Sequence, residues 1–146
     1  MIIKHRGFSP KIDPSAYTAP TAVVCGNAAI EKDSRIMYGA ILDSEGSHIE
    51  IGKCIIICEN AVIRATALPG KDYPVIIGNN TFVGPHATLL GCTIEPNSYI
   101  ATGATVLHGS VIKSGSKEKS LLKARYIPVC KNNYIYLAGG RGKQQY

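Results

Sequence analysis

Two columns of residues recur every six positions along this chain, and that period excludes most of the ways it can fold. Ile12, Thr18, Val24, Ile30, Ile36 and Leu42 stand six apart. So do Ile51, Ile57 and Ile63, then Ile77, Val83 and Leu89, then Ile94, Ile100, Val106 and Ile112. The position four further on is small nearly every time: Ala16, Ala22, Ala28, Ser34, Ala40, Ala61, Ala67, Thr81, Ala87, Ser98, Ala104, Ser110 and Ser116, with Ile55 the exception. A helix repeats every 3.6 residues and a half-buried strand every two, so neither produces a period of six.

Short strands joined by tight turns do produce it. Residues two apart in a strand share a face. The small residue of one hexapeptide and the aliphatic residue opening the next therefore both point inward. Three such sides close one triangular coil, and each aliphatic residue stacks on its equivalent one coil along. The expected fold is all-β, a parallel β-helix of roughly five coils, above the minimum of about three repeats. Gly26, Gly39, Gly52, Gly78, Gly84, Gly103 and Gly115, with Asn27, Asn60, Asn79, Asn80 and Asn97, fit turns that need special backbone angles. The period breaks at D-S-E-G-S-H-I-E after Leu42 and at L-P-G-K-D-Y-P-V-I after Ala67. It is one residue short between Leu89 and Ile94. Loops leaving a solenoid tend to mark its binding side.

The repeat domain is expected over residues 1–116. Residues 117–146 form a second region, where K-E-K-S-L-L-K-A-R-Y suits a short C-terminal helix ahead of a basic, Gly-rich tail. With no Trp and two Phe, the core must be aliphatic, which suits a narrow interior. Much of the net charge of +6 comes from that tail, which is expected to be solvated. No nucleic-acid motif or aromatic-interleaved basic stripe accompanies it, so neither nucleic acid nor membrane is expected as a partner. The five cysteines are odd in number and contain no C-x-x-C pair, which points to a reducing compartment. The opening M-I-I-K-H-R lacks a signal-peptide core, so the expected location is cytoplasmic.

The residue before each aliphatic position should face outward, yet it is often apolar: Val23, Ile41, Ile56, Val62, Leu68, Ile76, Phe82 and Val111. Rows of this kind usually mark an interface. Prisms packed around a cyclic axis would bury them, so a homotrimer is expected.

Several stretches resemble the γ-class carbonic anhydrases. They are Pro14 to Val24, Arg35 to Leu42, Ile49 to Lys53, Tyr73 to Asn80, and L-L-G-C-T-I at Leu89 to Ile94. The similarity covers about residues 10–116 with the blocks in order. It implies a left-handed β-helix and a trimer with sites between subunits. It also implies a zinc held by three histidines, two from one subunit and one from the next. E-N-A-V-I-R puts Arg64 at the first ligand position, and G-P-H-A-T-L-L-G-C puts Pro85 and Leu90 at the other two. The family's corner arginine and aspartate become Asp43 and Glu45. The glutamine before its first ligand becomes Cys58, beside Glu59.

None of these side chains replaces an imidazole. Arginine is permanently charged, and proline and leucine have no donor for zinc. The expected protein therefore has no metal and no cofactor, and serves as a structural or small-anion-binding trimer. Arg64, Glu59, Glu45 and His86 would line the inter-subunit pocket. Arg64 either captures an anion there or pairs with Glu59 or Glu45 across the interface. The alternative is an acyltransferase using coenzyme A, with His86 or His108 as general base. A carbonic anhydrase with a non-standard site comes third. A metal site rebuilt from His86 and His108 is disfavoured, because each is displaced by one residue from the ligand positions.

Overall fold

The computed structural model describes residues 1–118. Three parallel sheets run along the molecule. Sheet 1 holds Ile2–Ile3, Val23–Cys25, Ile41–Glu45, Val62–Leu68, Thr88–Leu90 and Thr105–Val106. Sheet 2 holds Lys11–Ile12, Ala28–Ile30, Ile49–Ile51, Val75–Ile77, Thr93–Ile94 and Val111–Ile112. Sheet 3 holds Tyr17–Thr18, Arg35–Ile36, Ile56–Ile57, Phe82–Val83, Tyr99–Ile100 and Lys117–Glu118. Each circuit of the chain visits sheet 2, then sheet 3, then sheet 1. The five coils span residues 11–25, 28–45, 49–68, 75–90 and 93–106.

The period-six columns are the ladder register. In sheet 1, Val24 lies beside Leu42, Leu42 beside Ile63, Ile63 beside Leu89 and Leu89 beside Val106. In sheet 2, Ile12, Ile30, Ile51, Ile77, Ile94 and Ile112 align likewise. Nearly all of these side chains are fully buried. Each buried Ile or Leu contributes roughly 1.5–3 kcal/mol over an exposed one. The small inward column of sheet 1 is alanine throughout the five coils: Ala22, Ala40, Ala61, Ala87 and Ala104. Leading into sheet 3 the small residues include Ser34, Thr81 and Ser98; the two serines are hydrogen-bonded, while the buried Thr81 hydroxyl has no partner among the described residues. The Ser34 hydroxyl donates to the Gly52 carbonyl at 2.7 Å and accepts from the Ile55 amide at 3.0 Å.

Two corners of the prism are regular. At the corner from sheet 2 to sheet 3, the third residue after the aliphatic position is left-handed: Asp33, Cys54, Asn80, Asn97 and Gly115, with φ from 53° to 72°. At the corner from sheet 3 to sheet 1 the same place is taken by Gly39, Asn60, His86 and Gly103, with φ from 58° to 71°. All three breaks in the period fall at the remaining corner, from sheet 1 to sheet 2. The second break is not an irregular loop. Strand Val62–Leu68 runs on and turns back antiparallel into Lys71–Tyr73. That hairpin leaves Ala67 exposed, and Ala65 and Val75 face the core instead.

Three other expectations are corrected. The repeat does not end at 116, because Lys117–Glu118 adds a strand beside Tyr99–Ile100. These two residues begin the stretch that the sequence suits to a helix, and the remainder of that stretch lies outside the described residues. Phe82 faces outward but is 8% exposed, stacked on Tyr99 with ring centroids 4.9 Å apart. With Cys58 and Ala101 it forms a small second cluster. The third correction concerns Gly52, Gly78 and Gly84, which do not need a left-handed backbone. At Gly84 the requirement is space: an added Cβ would meet the Thr102 amide nitrogen at 2.6 Å and the Ala101 carbonyl carbon at 2.8 Å. Gly103 is the opposite case, left-handed with open space around it.

Gly84→Ala should therefore cost more than Gly103→Ala. The expected losses are about 1–3 kcal/mol for overpacking against a backbone that cannot move aside, and about 1 kcal/mol for left-handed strain. Urea midpoints of the two variants measure this, and a larger loss at Gly103 would contradict it.

Candidate functional site

The outer face of sheet 1 carries the residues that the sequence singles out. In each strand the residue before the aliphatic position is apolar over three coils: Val23, Ile41 and Val62 lie side by side. Ile41 is 40% exposed. The residue after the aliphatic position forms a second outward column: Ile3, Cys25, Asp43, Arg64 and Leu90, each beside the next. Arg64 thus stands between Asp43 below and Leu90 above, as the spacing predicts for Arg64 and Leu90.

The electrostatics of this column differ from expectation at one place. Arg64 Nε lies 3.9 Å from Asp43 Oδ2, a loose pair with the guanidinium half exposed. Glu45 is occupied elsewhere. The chain's first strand ends in a turn that puts Arg6 and His5 against it. Arg6 Nη2 donates to Glu45 Oε1 at 2.5 Å, and His5 Nε2 lies 3.1 Å from Oε2. Within one chain, then, Asp43 rather than Glu45 is the acid beside Arg64. That neighbour was readable in the sequence, since Leu42 and Ile63 fix the register. The N-terminal turn carried no such period.

Pro85, Glu59 and His86 lie at the corner between sheets 3 and 1. The His86 amide donates to the Glu59 carbonyl at 3.0 Å. The His86 ring is exposed at a left-handed corner position with φ 58°. His108 sits at the other corner, one coil beyond Gly91, and packs edge-on against Tyr73 with centroids 5.1 Å apart. The structure therefore gathers Arg64 and Leu90 on sheet 1, holds Pro85, Glu59 and His86 on one flank, and leaves His108 on the other. Among the described residues no group of three His, Cys, Asp or Glu side chains comes together.

No family model matches the chain. It is 36% identical over 107 residues to gamma carbonic anhydrase 2, mitochondrial, of Arabidopsis thaliana, covering 72% of this chain and 38% of that protein. It is 27% identical over 168 residues to the carbonic anhydrase of Methanosarcina thermophila, covering 88% of this chain and 68% of that one. Among solved structures, a hexapeptide transferase family protein from Anaplasma phagocytophilum superposes with TM-score 0.66 at 26% identity, over 78% of this chain and 75% of that chain.

The chain is γ-carbonic anhydrase-like in sequence. It spans about two-fifths of the length of its Arabidopsis relative. The zinc that the family implies does not fit the three resembling positions. A guanidinium, a pyrrolidine ring and an isobutyl group supply no ligand atom, and the nearest carboxylate, Asp43, already faces Arg64. The cysteines do not substitute. Burial pushes the Cys58 and Cys92 thiols up to about 12. Burial also raises Cys25, with Asp43 and Glu45 adding like charge. A thiol that resists ionisation is a poor metal ligand and a poor nucleophile.

The two buried thiols carry a pH signature. Between about 9 and about 12 the folded chain holds protons that the unfolded chain has released, so stability falls as pH rises through that window. Below the unfolded thiol value their contribution is fully present. Replacing both, as Cys58→Ala with Cys92→Ala, should flatten the loss of urea midpoint between about pH 8.5 and 10.5. An unchanged slope would show that these thiols are not shifted upward.

Proposed function

We propose that this protein is a left-handed, trimeric member of the γ-carbonic anhydrase family without zinc chemistry. It serves as a structural or small-anion-binding assembly, with its candidate pocket between subunits. One observation supports this: Arg64 and Leu90 stand side by side, and the resemblance sets them, with Pro85, at the family's three ligand positions. Zinc-bound hydroxide is the nucleophile of carbon dioxide hydration, and these side chains cannot hold the ion that generates it.

The apolar stripe Val23, Ile41 and Val62 supports the trimer, because its burial needs a second surface. The free cysteines Cys25, Cys54, Cys58 and Cys92 suit a reducing compartment, either cytoplasm or an organelle interior. Among the described residues no helix is long and apolar enough to cross a membrane.

An acyltransferase is the second reading, favoured by the likeness to a hexapeptide transferase family protein. It would need His86 or His108 as base. His86 is solvent-exposed at a strained corner, and His108 is packed on Tyr73 at another corner. Acetyl-coenzyme A binding that vanishes in His86→Ala or His108→Ala would favour it.

The main proposal predicts no carbon dioxide hydration above the buffer rate, with or without added zinc, in stopped-flow assays of the purified protein. The combined variant Arg64→His, Pro85→His and Leu90→His should gain stoichiometric zinc. Hydration by the unaltered protein would contradict the proposal, as would a triple variant that stays folded and gains no metal.

A further inference from the structure

Arg64 is bordered by two features that together suggest its partner. The first is the direction of the apolar stripe. Val23, Ile41 and Val62 are stacked along the solenoid, one per coil. A partner that covers such a stripe must lie alongside, its own long axis parallel. The second is the pair of flanks. On one side of the stripe runs the column Cys25, Asp43, Arg64 and Leu90. On the other runs the corner between sheets 3 and 1, which carries Glu59 in the third coil and Pro85 in the fourth.

A closed ring of identical copies is heterologous: one flank of each copy meets the opposite flank of the next. Rotation about an axis parallel to the solenoids leaves every coil at its own height. A third-coil residue therefore meets third-coil residues of its neighbour. Arg64 belongs to the third coil. Two acids lie in that coil, Glu50 and Glu59. Glu50 is on sheet 2, away from the stripe, with His48 at 3.5 Å. Glu59 lies on the facing flank, is half-buried, and makes no ion pair among the described residues. Arg64 itself has only the 3.9 Å contact with Asp43, which leaves most of its five N–H donors free.

We infer that Arg64 binds Glu59 of the neighbouring copy, so that a charged side-chain pair spans the interface at the place where a metal would otherwise join two subunits. The inference rests on the trimer proposed above and narrows it: Arg64 serves assembly rather than ligand capture. Asp43 sits 3.9 Å from Nε, so the two terminal nitrogens of the guanidinium remain for the neighbour. A pair closed off by the apolar stripe is partly desolvated, where losing one partner is costly because the other charge stays unpaired.

Charge exchange tests this in the full-length protein by sedimentation velocity over a concentration series. Arg64→Glu and Glu59→Arg should each raise the trimer dissociation constant by roughly 30-fold or more, and the double variant should recover much of the loss. Neutral Arg64→Gln and Glu59→Gln make the same comparison if a reversal unfolds the chain, which circular dichroism detects. Trimers unaffected by either single change would overturn the ion pair and leave the trimer standing. A wild-type monomer at all concentrations would overturn both. If Glu59→Arg leaves the trimer intact while Arg64→Glu alone abolishes acetate binding by calorimetry, the arginine is an anion site and the inference fails.

Discussion

The fold depends on one constraint: every coil must place its residues in register with the coil before it. Parallel strands share backbone hydrogen bonds evenly along their length, so one aligned pair fixes the alignment of the whole coil. A one-residue slip would turn the aliphatic column to solvent and the charges to the core. The interior has no room for such an error. Its sheet 1 lining alternates alanine with Val, Leu or Ile, and Gly84 touches the backbone of the coil above.

That constraint decides where variation is tolerated. From the second coil on, two corners repeat a left-handed residue at the same position, and neither gains or loses a residue. Every insertion and the one deletion fall at the corner between sheets 1 and 2. There the outgoing strand lengthens to Glu45 or Leu68, or the turn shortens through Gly91. The extended strand ends build an outer ledge beside Arg64, and the N-terminal turn docks there through Arg6, His5 and Glu45. The Arg64 column borders the irregular edge, while Glu59, Pro85 and His86 lie at a regular corner on the other flank.

Much of the solenoid was legible in the sequence, since period and register are the same fact seen twice. Arg64 and Leu90 could be set side by side from Ile63 and Leu89 alone. What escaped had no period. Ala67 matched the small column by spacing, yet the hairpin shifts the inward role to Ala65. Gly84 looked like a turn glycine, although proximity to the Thr102 amide rather than its φ excludes a side chain. Phe82 looked like interface, although stacking on Tyr99 already shelters it. Glu45 looked available to Arg64, because nothing in the repeat announces that the first eight residues reach it. Long-range contacts from aperiodic segments are the part that a repeat cannot encode.

The central claim is that the family's scaffold persists while its metal position has become a side-chain interface. Crystals of the trimer grown with zinc present, measured at the zinc absorption edge, test this most directly. The account predicts no anomalous peak between Arg64, Leu90 and the neighbouring copy's Pro85, with the Arg64 guanidinium seated on Glu59 of that neighbour. A strong peak among those residues, with Arg64 swung away, would contradict it.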